Sequence, residues 1–120
     1  MSEEETRTVI RRHMEAWQRG DVSALLADYA DDAVMMSTAV GAVVGKAAIA
    51  AMYEQVFETL FRPEDTKLEV TSEIVSGEYA LVHWTATTSS MRTKGGFDSY
   101  ALRGGKIAAQ SGGMETIPLG

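Results

Sequence analysis

The two periodicities of this chain are segregated, and that separation limits the fold more than any single residue does. Every stretch with a helical apolar repeat lies before Pro63, and everything after it reads as strand. Val9, Ile10, His13, Met14 and Trp17 share one stripe, and the spacing predicts a first helix from about Ser2 to Arg19. Ser2 and Glu5 stand at capping-box spacing, three glutamates occupy the positive end of the helix dipole, and Gly20 ends the helix. Asp21 then caps a short second helix carrying Val22, Leu25, Leu26 and Tyr29. A third helix carries Ile49, Met52, Tyr53, Val56, Phe57 and Leu60, with Pro63 as its stop.

Between the second and third helices, Asp31 and Asp32 make a turn, and Val34 to Ser37 read as a strand. VGAVVG reads as a short strand or loop. Beyond Pro63, Leu68, Val70, Ser72 and Ile74 alternate with Glu69, Thr71 and Glu73, the pattern of a half-buried strand. Gly77 turns the chain into YALVHWTATTS, and RTKGG turns it again. FDSYALR, a GG hairpin turn and KIAAQSGGMET complete four consecutive antiparallel strands. Segregated helices followed by a meander give an α+β fold in which helices cover one face of the sheet.

With 120 residues the chain fits one domain, residues 1–120, and one core. Cysteine is absent, which excludes a disulfide framework, a thiolate nucleophile and a cysteine metal site. Two histidines among scattered carboxylates make no metal-ligand spacing, and nothing calls for an organic cofactor. A formal charge of −6 with no basic stripe argues against a nucleic-acid partner. The N-terminus lacks the apolar core of a signal peptide. The apolar stretch around Val40 to Met52 is broken by Gly41, Gly45 and Lys46, so no membrane partner and a cytoplasmic location are expected.

RGDVSALLADYADDAV, VGKAAIAAMYEQVF and GGFDSYALRGGKIAAQS together resemble the signature stretches of the SnoaL-like and ketosteroid-isomerase-like families, within the nuclear-transport-factor-2-like superfamily. The resemblance spans roughly Arg7 to Met114. It implies a cone: a curved, cystatin-like antiparallel or mixed sheet wrapped around a long N-terminal helix and two further helices, with a pocket between. It does not imply one reaction, because this fold hosts isomerases, dehydratases, cyclases, epoxide hydrolases and binders.

Three residues stand out as candidate catalysts. His13 lies on an apolar stripe, where a histidine is either a satisfied core residue or a functional one. The resemblance puts it at the oxyanion-hole tyrosine of the isomerases, where an imidazole donates a hydrogen bond to developing charge or shuttles a proton. Asp98 sits in mid-strand between Phe97 and Ser99, where aspartate is disfavoured. It is either an exposed strand residue or, as the resemblance implies, a pocket carboxyl whose pKa burial raises. His83 depends on which face of its strand looks inward. Leu81, His83, Thr85 and Thr87 form one face, and Ala80, Val82, Trp84 and Ala86 form the other. The resemblance favours the first face inside, pairing His83 with Asp98; the alternative puts Trp84 inside.

The resemblance also implies ligand contacts from Tyr29 and Tyr53, as hydroxyl partners of His13, and from Trp17, Ser37, Phe57, Tyr100, Gln110 and Met114. Methionines such as Met14, Met35, Met36 and Met52 provide soft walls suited to an apolar ligand. The isomerases need a carboxylate base just after YADDAV, and Ser37 stands at that position, which excludes their usual mechanism. The residues thus support an acid–base enzyme on a small, largely apolar carbonyl metabolite, or a binding domain that holds such a metabolite unchanged. With His83 inside, Val82, Trp84, Ala86, Phe97, Ala101, Ile107 and Ala109 would form an outer apolar sheet face, and a homodimer through that face is expected.

Overall fold

The computed structural model describes residues 2–120. Helix α1 spans Glu3–Arg19, with Ser2 and Glu5 closing the capping box and Gly20 taking the left-handed conformation (φ 66°) at its end. Short α2 (Val22–Ala27) starts on the Asp21 side chain, which accepts from the Ala24 amide. Strands β1 (Tyr29–Ser37) and β2 (Gly41–Val44) form a hairpin before α3 (Lys46–Thr59). Helix α3 ends before Pro63, which instead opens a 3-10 turn at Pro63–Asp65. Strands β3 (Lys67–Ser76), β4 (Tyr79–Thr87), β5 (Met91–Arg103) and β6 (Lys106–Pro118) complete the chain.

The six strands form one mixed sheet in the order β2-β1-β6-β5-β4-β3. Neighbours are antiparallel except β1 and β6, which run parallel. This is the curved, unclosed α+β sheet expected from the sequence. Its curvature has identifiable causes: register shifts interrupt four of the five strand pairs, and each such bulge bends and twists its strand. The helices fill the hollow. Ile10 and His13 of α1, Leu25 of α2 and Ile49 and Tyr53 of α3 are buried there against Val82, Tyr100 and Ile107 of the sheet.

Three expectations about strand faces are overturned, those for β3 and β6 by bulges. In β4 it is Ala80, Val82 and Ala86 that are buried, with Trp84 packed against the same core, while His83 is exposed. Trp84 is therefore inside and His83 outside. In β3 the register shifts between Val70 and Ser72, so Leu68 packs on the core while Ile74 is left 57% exposed on the outer face. The same shift turns Glu73 toward α1, where it binds Arg7 (3.0 Å) and Arg11 (3.2 Å). In β6 a shift separates Ile107, which is fully buried, from Ala109, which is exposed, although the two are spaced for one face. Simple alternation cannot foresee an extra residue in the ladder.

Candidate functional site

A cavity of about 120 Å³ lies between α1, α3 and the concave side of the sheet. Its walls are apolar: Met14 and Trp17 of α1, Met52 and Val56 of α3, Phe61, and Trp84 of β4. Met35, Leu68 and Met114 extend the soft lining, and Ala39, Val40 and Leu60 stand at the more exposed rim. The polar groups on the wall include His13, Tyr53, Asp98, Tyr100, Gln110 and Ser37.

Asp98 is the one carboxylate among the described lining residues. Strand β5 aims it inward, and its two oxygens have separate donors. Trp84 Nε1 donates to Oδ2 at 2.9 Å, and Gln110 Nε2 donates to Oδ1 at 3.1 Å. Burial pushes the Asp98 carboxyl above its ordinary pKa, and the two hydrogen bonds and the nearby His13 only partly offset that.

Two strand glycines make this arrangement sterically possible. A Cβ on Gly112, which pairs with Asp98, would lie 2.2 Å from Asp98 Oδ1 and 2.5 Å from the Phe97 carbonyl oxygen. A Cβ on Gly96 would lie 2.7 Å from the Trp84 carbonyl oxygen and 2.9 Å from its ring. Both glycines clear room for the Trp84–Asp98 pair, the role a mid-strand glycine commonly plays.

A buried network continues behind the cavity wall. The Tyr29 hydroxyl meets the Tyr53 hydroxyl at 2.6 Å and His13 Nε2 at 3.3 Å, and it donates to Gln110 Oε1. Burial raises the pKa of Tyr29, Tyr53 and Tyr100 above the ordinary phenol value, so all three stay protonated. On its other side His13 faces Asp28, with Nδ1 3.5 Å from Oδ2. His13 and Asp28 are each 1% exposed, and these two atoms have no closer partner. Asp28 Oδ1 accepts from Arg12 Nε at 3.0 Å and Arg12 Nη2 at 2.5 Å. Burial acts to raise the Asp28 pKa, but His13 and Arg12 outweigh it and hold the carboxyl below its usual value.

A family model described as a SnoaL-like domain matches residues 10–110. The chain belongs to the SnoaL-like domain family. No curated protein matches its sequence. Its fold is shared with a nuclear-transport-factor-2-like protein of unknown function from Burkholderia xenovorans, at 18% identity and TM-score 0.79, covering 94% of this chain and 84% of that one. A protein from Kribbella flavida, provisionally described as a ketosteroid isomerase, matches at 18% identity and TM-score 0.79 over 93% of this chain and 78% of its own. A de novo designed protein with a curved β-sheet reaches TM-score 0.80 at 16% identity, covering 96% of this chain and 88% of its own. Likeness of this kind establishes the fold and leaves the activity to the site.

In this SnoaL-like domain, the cavity collects His13, Trp17, Ser37, Tyr53, Asp98, Tyr100, Gln110 and Met114 of the residues expected from sequence. Tyr29 is buried behind the wall and reaches the cavity through Tyr53 and Gln110. Phe57 is likewise in the second layer, stacked on Tyr53 at 5.8 Å and edge-on to Trp17 at 5.5 Å. His83 leaves the site altogether, paired across the outer face with Phe97 and Ser72. Met36 is 53% exposed on that same outer face and lies outside the cavity. Ser37 is spoken for, since its hydroxyl oxygen accepts from the amides of Ala39 and Val40 and shapes the turn at the rim. Trp84 and Phe61 were not among the expected ligand contacts. Asp28 was not singled out either. Among the described residues no group of three or more histidines and carboxylates converges as a metal site, and no helix is long and apolar enough to cross a membrane.

Proposed function

We propose that this SnoaL-like domain encloses a small, largely apolar carbonyl compound and moves a proton on it by acid–base chemistry, in the manner of an isomerase or cyclase. The observation that carries the reading is Asp98: a single carboxylate in an apolar cavity, with one fixed donor on each oxygen and a raised pKa. A carboxylate placed this way takes a proton from carbon beside a carbonyl and returns it, because its pKa is shifted toward working pH. His13, also on the wall, supports charge developing on the carbonyl oxygen. Tyr53 and Tyr29 hold His13 and Gln110 in place.

The cavity also sets the size of the compound. An apolar protein cavity of about 150 Å³ holds benzene, so about 120 Å³ accommodates a single ring or its equivalent. A four-ring steroid would extend past the exposed rim. A thermal-shift series of cyclohexanone, cyclohexenone and progesterone tests this. Stabilisation by the monocyclic ketones and none by the steroid supports the reading, and stabilisation by progesterone alone contradicts it.

A second reading, a holder without chemistry, rests on Ser37, whose hydroxyl at the position of the family's usual base is engaged by the rim backbone. The two readings share the ligand and differ only in turnover.

The partner expected on the outer sheet face is a second copy of the chain, with Ala101 and Ala109 kept in that face and Val82, Trp84, Ala86 and Ile107 turned to the core. Two rows cross the sheet: Ile74, Leu81, Ser99, Ser111 and Met36, and beside it Ser76, Tyr79, Ala101, Ala109, Val34 and Val44. Neither row carries a charged side chain. Ile74 and Tyr79 are 57% and 67% exposed. A chain of net charge −6 meets its own copy best through such a neutral face. Leu81→Glu should weaken self-association in sedimentation by about 2 kcal/mol or more, and a wild-type monomer at micromolar concentration contradicts the pairing.

A further inference from the structure

Tyr29 has one proton and three polar neighbours, and that arithmetic links two groups that do not touch. In the observed arrangement Tyr29 donates to Gln110 Oε1, so its oxygen accepts from the Tyr53 hydroxyl and from His13 Nε2. His13 therefore carries a proton on Nε2. Its Nδ1 faces a buried carboxylate oxygen of Asp28 at 3.5 Å, an arrangement that suits a proton there too. Gln110 meanwhile turns its NH₂ to Asp98, which accepts as a carboxylate.

The amide of Gln110 has the same outline when its oxygen and nitrogen change places. Rotated by half a turn, it presents Oε1 to Asp98 and Nε2 to Tyr29. Asp98 must then be the donor, as a carboxylic acid, with Trp84 still donating to its other oxygen. Tyr29 now accepts from Gln110 and Tyr53, and its own proton goes to His13 Nε2, which must be bare. The donors and acceptors of Tyr29, Gln110 and Asp98 match in both arrangements, and no intermediate one matches them all.

We propose that Gln110 is a positioning residue whose amide orientation ties the proton on Asp98 to the proton on His13 Nε2, so that one is gained as the other is lost. The first arrangement holds an imidazolium and a carboxylate. The second holds a neutral imidazole and a carboxylic acid. Both contain the same number of protons and have the same net charge. Both groups line the cavity, so the proton passes through the cavity contents, water or ligand, and not through the amide. In turnover Asp98 takes a proton from the compound as His13 gives one to it, which leaves the network in its second satisfied state. That use rests on the proposed function; the coupling itself does not.

The groups facing this pair come from every surrounding element: Arg12 on α1, Asp28 after α2, Tyr29 on β1, Tyr53 on α3 and Tyr100 on β5. Tyr100 meets the His13 ring edge-on at 5.7 Å and donates to Met14 Sδ at 3.7 Å, so it stands outside the relay.

The test uses ligand-free full-length protein and the ring-nitrogen NMR shifts of its two histidines, with exposed His83 as internal reference. Asp98→Asn mimics the acid. Its amide oxygen keeps the Trp84 bond and its NH₂ faces Gln110, which forces the second arrangement. His13 Nε2 should move from the protonated to the unprotonated shift range while His83 stays still. In a Gln110→Met background the same substitution should leave His13 unmoved. Unchanged His13 nitrogens in Asp98→Asn, or an equal change in the methionine background, overturn the proposal. If Gln110→Met does not fold, wild-type protein decides. The Asp98 carboxyl carbon and His13 Nε2 shifts must change together as temperature moves the balance between the two arrangements, and independent changes overturn it. Because no ligand is present, failure here is distinct from failure to find turnover.

Discussion

Trp84 donates its indole N–H to Asp98 Oδ2 across 2.9 Å, and the two residues come from neighbouring strands that a glycine on each side lets approach. The tryptophan thus has two roles, as a cavity wall and as a fixed donor to the cavity's carboxylate. Replacing it with phenylalanine keeps an aromatic wall and removes the donor. The charged form of Asp98 loses support, so its carboxyl pKa should rise further. A carbon-13 titration of the Asp98 carboxyl reads this directly, and an unshifted or lowered midpoint contradicts the role.

Asp98 should cost stability at neutral pH. Its folded-state pKa lies above its unfolded value, so the folded protein binds the extra proton between the two. The stability linked to that proton is fully present below the unfolded value, about 4, and is lost as pH rises through the folded value. Asp98→Asn should therefore melt higher than wild type near neutral pH, and the gap should close toward acid. A gap independent of pH would mean that the carboxylate is not strained by burial.

Asp28 should show the opposite slope. His13 and Arg12 hold its pKa below the ordinary value, so its contribution is present above the unfolded pKa and is lost as pH falls through the folded one. Asp28→Ala also removes the carboxylate that faces buried His13 Nδ1 and accepts from Arg12. Denaturant unfolding at neutral and acid pH tests both points. Wild type should lose its advantage over the variant on acidification, and equal stabilities at neutral pH would remove Asp28 from the account.

Gly112→Ala should damage the site more than the fold. The added carbon would lie 2.2 Å from Asp98 Oδ1, so the carboxylate must leave its position between Trp84 and Gln110. Overpacking of this kind costs about 1–3 kcal/mol. The Asp98 carboxyl shift should change and stabilisation by monocyclic ketones should vanish. A variant that binds them as wild type does would show that Asp98 need not be held so closely.

The architecture was legible because its signals are local. The Ser2–Glu5 box, the Gly20 stop, the helical stripes and the long strands after Pro63 each act over a few residues, and together they leave little choice of fold. His13 and Asp98 were legible as anomalies, a titratable group on an apolar stripe and an acid in mid-strand. His83 and Trp84 were not, because two adjacent residues of a regularly alternating strand differ only in which face they take, and the resemblance favoured the wrong one. Ile107 and Ala109 were misread because Ala108 is an extra residue that breaks the alternation between them. Asp28 was hidden because its importance lies in meeting His13 from just beyond the end of α2, a contact that composition does not announce.

The central claim is proton transfer by Asp98 on a carbonyl compound held in the cavity. Its most direct test is exchange of the α-protons of cyclohexanone for deuterium in D₂O, followed by proton NMR with wild type and Asp98→Asn. Wild type should accelerate exchange above the buffer rate, and the variant should lose about a hundredfold of that acceleration or more. Cyclohexanone that binds wild type yet exchanges no faster than in buffer would contradict the claim and leave a binding domain in its place.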